Sequence, residues 1–271
     1  NSFRRYKTGF TLIEVIVVIA IIGLLSSIIL VAVNKVRDSG RLAGAKKFAT
    51  YTYRGLGADA LGVWTFDDTT NLAKDTSQYN SVAATSGSIT WPGLSTYNNT
   101  GRSITLNGSG YISVTNDATN NNRFNVIRGS IGAWIKTTTI NAAGVAVAVV
   151  SNNYGIGLAM NSGRIAVPPG PTTVGKTDIA DGKWHYVVVS FIRNGGNVSY
   201  TIYVDGNIDG TITVSPSFVQ NNFTIGAAAG GALPFTGDID DVVFYSQSLT
   251  ASEVYNLYAS QAPKYGIALS P

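Results

Sequence analysis

Tyr186-Val187-Val188-Val189-Ser190-Phe191 and Ser199-Tyr200-Thr201-Ile202-Tyr203-Val204 are separated by Asn194-Gly195 and followed by Asp205-Gly206. Both runs are built from β-branched and aromatic residues, and both dipeptides supply the left-handed conformations that tight hairpins need. The stretch therefore reads as strand, hairpin, strand, hairpin. The same grammar extends outward, through Ser103-Ile104-Thr105-Leu106, Tyr111-Ile112-Ser113-Val114 and Gly132-Ala133-Trp134-Ile135, with Gly, Asn, Asp and Ser between the runs. Strands at this frequency predict an all-β sandwich or barrel from Leu61 onward. Thr250 to Ala259 is the one later helical candidate, because Thr250-Ala251-Ser252-Glu253 has the form of a capping box.

The chain has 271 residues and no cysteine, so disulfides, thiolate metal sites and cysteine nucleophiles are excluded. Its formal charge of +4 is unevenly spread. Residues 1–61 hold nine Lys and Arg against three Asp and Glu, whereas residues 62–258 hold nine against twelve. The basic character thus belongs to the N-terminal region, and the globular part lacks the cationic footprint of a nucleic-acid binder.

That N-terminal region runs Arg4-Arg5-Tyr6-Lys7-Thr8-Gly9, then Phe10-Thr11-Leu12-Ile13-Glu14, then 19 uncharged residues from Val15 to Val33. Such a run is long enough to span a bilayer as a helix. A carboxylate at the centre of a membrane helix costs roughly 2.5–3.5 kcal/mol, less at its edge, so Glu14 calls for a partner. A secretory signal core is shorter, about 7–15 residues, and Leu30-Val31-Ala32-Val33-Asn34 is a poor cleavage site. An uncleaved signal anchor gives no reason for Glu14. Arg4, Arg5 and Lys7 favour a cytoplasmic N-terminus and an extracytoplasmic head, although Lys35, Arg37 and Arg41 weaken the bias. Asn34 to Ala60 continues with a rough amphipathic stripe interrupted by Gly40, Gly44, Gly55 and Gly57. Asn1 rather than Met opens the sequence, so the leader can extend before it.

The first segment resembles the type IV pilins and pseudopilins: a short basic leader, Gly9, then Phe10 with Glu14 at the fifth position. The resemblance implies that a membrane prepilin peptidase cuts after Gly9 and methylates the new amine on Phe10. It also implies that Glu14 pairs with the Phe10 ammonium of a neighbouring pilin subunit. Pairing of that kind offsets the cost of a buried charge and fixes register. The absence of Pro before Pro92 and the large head suit a minor or tip subunit better than a bulk one.

The second part resembles the laminin-G-like, concanavalin A-like jelly-roll domain. Val63-Trp64-Thr65-Phe66-Asp67-Asp68 and Asp75-Thr76-Ser77 carry the resemblance first, then Leu106-Asn107-Gly108 through Ile112, then Ile131 through Lys136. Asp181-Gly182-Lys183-Trp184-His185-Tyr186, Tyr203-Val204-Asp205-Gly206, Phe235 through Val242 and Leu249 through Glu253 follow in the family's order. The expected fold is an all-β jelly-roll sandwich head on a long N-terminal transmembrane α-helix. The expected divisions are a leader over 1–9, a membrane or filament-core helix over 10–33, a continuation over 34–61, the sandwich over 62–258 and a tail over 259–271.

Candidate chemistry in the head is sparse. Gly170-Pro171-Thr172-Thr173-Val174-Gly175-Lys176-Thr177 fits a phosphate-loop pattern by letter, but no helix is expected after it, so a chance match is the better reading. His185 is the only histidine, which excludes a two-histidine zinc site within one chain. The only glutamates are Glu14 and Glu253, so the paired glutamates of sandwich-fold glucanases are missing, and catalysis would need paired Asp. No enzymatic activity is expected. Asp67, Asp68, Asp75, Asp238, Asp240 and Asp241 lie on the first and last strand motifs, and the family resemblance implies a structural calcium held by oxygen ligands in that neighbourhood. The alternative is separate turn-capping by each. Trp91, Tyr97 and Tyr154 sit in Gly/Asn/Ser-rich stretches from which an aromatic could stack on a sugar, whereas Trp64, Trp134 and Trp184 read as core.

The expected role is a pilin-like subunit presenting its head to a glycan or surface-protein ligand. The competing roles are a pseudopilin of a type II secretion system, an anchored binding domain that never assembles, and a glycan-active enzyme.

Overall fold

The computed structural model describes residues 12–23, 57–91, 101–115, 123–140, 144–150, 156–167, 172–215 and 222–269. The chain divides into two compact units, residues 1–47 with Pro271 and residues 48–270.

In the first unit a helix, α1, covers residues 12–23. Ile13, Val15, Ile16, Val17, Val18, Ile19, Ile21 and Ile22 are β-branched and would favour strands in water. An apolar medium reverses that preference, because a helix satisfies all its backbone groups internally. These side chains are exposed, as expected of a surface meant for apolar surroundings. Among the described residues no helix is both long and apolar enough to cross a membrane. The continuation expected beyond residue 23 lies outside the described residues, as do Gly9 and Phe10.

The second unit is a two-sheet antiparallel sandwich. Its strands in chain order are β1 (Ala60–Trp64), β2 (Ala83–Ser86), β3 (Ile89–Thr90), β4 (Ile104–Asn107), β5 (Tyr111–Thr115), β6 (Arg128–Lys136), β7 (Gly144–Val150) and β8 (Ile156–Asn161). They continue as β9 (Arg164–Val167), β10 (Thr172–Thr173), β11 (Trp184–Asn194), β12 (Asn197–Val204), β13 (Asn207–Val214), β14 (Asn222–Ile225) and β15 (Thr236–Tyr245). One sheet runs β13-β12-β11-β6-β15-β4-β3 with β1 also on β15; the other runs β10-β9-β8-β7-β14-β5-β2.

The Asp205-Gly206 dipeptide turns where expected, and the turn expected at Asn194-Gly195 falls one residue later. Asn194 pairs with Asn197 across Gly195-Gly196, and Val204 pairs with Asn207 across Asp205-Gly206. Asp205 (φ 49°) and Gly206 (φ 81°) both take positive φ, the requirement of a type I′ turn.

The inner faces meet in one apolar core. Ile131, Ala133, Ile135, Val187, Val189 and Phe191 come from the first sheet, and Ile112, Val114, Leu158, Ile165, Phe223 and Ile225 from the second. β6 and β11 are apolar on both faces because their outer face is covered as well. The covering element is α2 (Ala251–Gln261), followed by a 3-10 turn over Ala262–Tyr265. Thr250 and Glu253 form the reciprocal capping box at its start. Val254, Leu257, Ala262 and Tyr265 pack on Trp134, Tyr186, Val188 and Tyr203. The helix thus continues beyond residue 258, and the segment expected to be a tail belongs to the outer layer of the head.

Candidate functional site

A polar junction in the head follows from how β15 shares its edges. β6 pairs along β15 from Asp238 to Tyr245. On the opposite edge β4 takes Thr236 to Ile239, and β1 takes Val242 to Tyr245. Asp240 and Asp241 therefore fall between the end of one partner and the start of the next. The register against β6 shifts between Asp240 and Val243, and Asp241 has φ 46°. Asp is one of the few side chains that tolerates this region.

The gap brings together some of the six aspartates and separates the others. The Asp240 side chain is fully buried, and that of Asp241 is 14% exposed. The Lys264 ammonium lies 2.8 Å from Asp241 Oδ2 and 3.3 Å from Asp240 Oδ2. The Tyr265 hydroxyl lies 2.8 Å from Asp240 Oδ2 and 3.0 Å from Asp241 Oδ2 and can donate to either. Asp67 is exposed nearby, accepting from Arg102 N–H at 2.8 Å, and its charge acts on Asp241 and Lys264. Burial pushes the Asp240 carboxyl well up, the Asp241 charge adds to this, and Lys264 opposes it. Burial also raises Asp241, again against Lys264. Burial lowers Lys264, but the Asp241 and Asp240 charges outweigh it and raise its pKa.

Asp68, Asp75 and Asp238 are engaged elsewhere. Asp68 caps its own turn through Thr70 and Asn71 and pairs with Lys74 at 2.7 Å. Asp75 is buried and accepts from Val63, Ser77 and Ser81. Asp238 pairs with Lys136 at 3.1 Å and accepts from Thr105. Among the described residues no group of three or more His, Asp or Glu is placed to hold a metal ion. The six are not brought to one place: Asp240 and Asp241 meet at Lys264 and Tyr265, and Asp68, Asp75 and Asp238 each have other partners. Nor do Asp240 and Asp241 face each other across a cleft, since they are consecutive residues sharing one hydroxyl and one ammonium.

Trp91 is half-buried, its indole donating to Phe66 C=O at 3.0 Å with the Arg102 guanidinium 5.4 Å from the ring centre. Tyr97 and Tyr154 lie outside the described residues. Glu14 lies on α1. His185 is clamped by Asp205 at Nδ1 (2.8 Å) and Asp181 at Nε2 (3.1 Å). Burial lowers its pKa, but the two carboxylates outweigh burial and raise it above the ordinary value. The clamp ties the start of β11 to the β12–β13 turn. In the phosphate-loop-like segment, the Lys176 and Thr177 amides and the Thr177 hydroxyl all donate to Asp209. The Lys176 and Thr177 donors thus already hold an internal carboxylate. Asp209 and Lys264, which decide these two places, carry no local motif; only their partners' unbalanced charge and donors signal that something must sit there.

Comparison with known families gives two matches. The family described as the concanavalin A-like lectin/glucanases superfamily, laminin G type, matches residues 106–255, more than half of the chain. The prokaryotic N-terminal methylation motif matches residues 4–30. No curated protein matches the chain. Among solved structures, the botulinum neurotoxin type C structure described through its interaction with two ganglioside molecules aligns with TM-score 0.58 and 18% identity. It covers 77% of this chain and 53% of its own. The binding domain of botulinum neurotoxin DC in complex with rat synaptotagmin II gives TM-score 0.56 and 17% identity, over 76% and 52%. Domain 4 of an extracellular arabinanase from Geobacillus stearothermophilus, in complex with arabinotriose, gives TM-score 0.53 and 20% identity, over 74% and 98%. The chain spans about half the length of the toxin chains, and the likeness in all three is one of fold.

Proposed function

Because this chain belongs to the concanavalin A-like lectin/glucanases superfamily and carries a prepilin-type methylation motif, we propose that it is a pilin-like subunit displaying a lectin-like head for adhesion. The observation that carries the reading is the joining of these two matches in one chain, at residues 4–30 and 106–255. A prepilin-type motif implies peptidase processing and export to a membrane-associated, pilus-like assembly. In this reading the peptidase cuts between Gly9 and Phe10, Glu14 pairs with the amine of a neighbouring subunit, and the head faces outward as a minor or tip component. Neighbouring folds described with gangliosides and arabinotriose support a glycan as the ligand class. The head itself is assigned no catalytic step; its one glutamate, Glu253, is engaged with Thr250 in the capping box of α2.

Glu14→Ala tests assembly. The variant is expected to reach the membrane normally and to fall about tenfold or more in sheared filaments, the factor that about 1.4 kcal/mol of lost pairing represents. Equal amounts of both proteins in the sheared fraction would contradict the proposal. Failure to find either protein there would point to an anchored domain that does not assemble.

A further inference from the structure

A calcium ion needs six to eight oxygen ligands at about 2.3–2.6 Å. At the β1–β4–β15 junction the carboxylates of Asp240 and Asp241 instead converge on a primary amine. We propose that the Lys264 ammonium is the resident cation of the Asp240 and Asp241 pair, and that it latches the C-terminal turn to the sandwich in the role a divalent metal would otherwise fill.

Three observations carry this. Lys264 Nζ is within ion-pair distance of both buried carboxylates, and its side chain is only 22% exposed. Gly101 leaves room for it: a Cβ there would stand 2.6 Å from Lys264 Cε, 3.1 Å from Nζ and 3.3 Å from Asp67 Oδ1. Gly101 therefore packs directly against the lysine side chain and beside the Asp67 carboxylate. Finally, the next residue fixes the approach. Tyr265 stacks on Trp134 at 3.9 Å while its hydroxyl reaches both carboxylates, so backbone and ammonium arrive as one unit.

The charge count favours an ammonium only while it is present. Removing it leaves adjacent buried carboxylates without a counter-ion, a strongly unfavourable arrangement that a proton or a hard cation would relieve. Burial and the neighbouring carboxylate already push Asp240 upward with Lys264 in place.

The test uses the full chain in detergent, with thermal melts in chelator and in millimolar calcium for wild type, Lys264→Met, Lys264→Arg and Asp241→Asn. Wild type and Lys264→Arg are expected to melt at the same temperature in both conditions. Lys264→Met is expected to melt about 5–15 °C lower in chelator and to recover at least half of that loss in calcium. Overturning results are a Lys264→Met protein as stable as wild type in chelator, or one that calcium does not rescue. If Lys264→Met fails to fold, terbium luminescence on wild type decides. No sensitised emission supports the proposal, whereas emission that Asp241→Asn abolishes shows a metal site and overturns it.

Discussion

A Trp134→Ala substitution is expected to lower the unfolding free energy of the head by about 3–5 kcal/mol. Trp134 is fully buried, yet not between the two sheets. It projects from β6 to the outer side, where its ring stacks on Tyr265 at 3.9 Å and Tyr258 at 5.9 Å and tilts against Tyr186 at 5.3 Å. Its indole donates to Gln261 Oε1 at 2.6 Å. Removing the ring deletes the floor on which α2 and the 3-10 turn rest, and the carboxylate–ammonium cluster loses the stack that orients Tyr265. Trp134→Phe keeps most of the apolar area and loses one hydrogen bond, so its cost is expected to be nearer 1–2 kcal/mol, roughly. Denaturant unfolding of both variants checks this. An alanine variant within about 1 kcal/mol of wild type would show that the outer layer is not integral to the head.

Asp75→Ala is expected to cost about 3–5 kcal/mol through a different cause. The Asp75 carboxylate is 1% exposed and organises the turn after β1. Oδ1 accepts from Val63 and Ser77 N–H, each at 2.9 Å, and Oδ2 accepts from Ser81 N–H at 2.8 Å and from the Ser81 hydroxyl. The Arg123 guanidinium donates to that same hydroxyl. Alanine would leave these donors buried without an acceptor. Asp75→Asn keeps the shape but loses the charge, and is expected to be less costly. Burial raises the Asp75 pKa, but its hydrogen bonds outweigh burial, and the net direction is below the ordinary 3.8. A lowered carboxylate pKa contributes stability that is present above 3.8 and is lost as pH falls through the folded value. Wild type should therefore lose stability on acidification below about pH 4 more steeply than Asp75→Asn. Parallel acid unfolding curves would contradict the assignment.

The sandwich was legible because its signals are local. The hairpins after β11 and β12 and the capping box at Thr250–Glu253 depend on residues close together, and the order of the strand motifs adds to them. The chemistry of the acidic junction was not, because it is decided at long range. Asp238 and Asp240 point to the same side of β15, but Asp238 meets Lys136 from β6 while Asp240 meets Lys264 from beyond α2. Nothing in Ala262-Pro263-Lys264-Tyr265 marks it as a counter-ion, and a tail was the natural reading of that segment. Trp134 was legible as core, but not as the core of a second layer. That distinction depends on α2 covering the outer face, which no single strand encodes. Asp209 likewise fills the phosphate-loop-like donors from 32 or more residues away.

The mature N-terminus, read by mass spectrometry on protein recovered from membranes and from sheared filaments, tests the pilin-like reading at its root. The account predicts a chain in the sheared fraction that begins at N-methylated Phe10. An intact leader, found only in membranes, would contradict it and leave a membrane-anchored lectin-like domain.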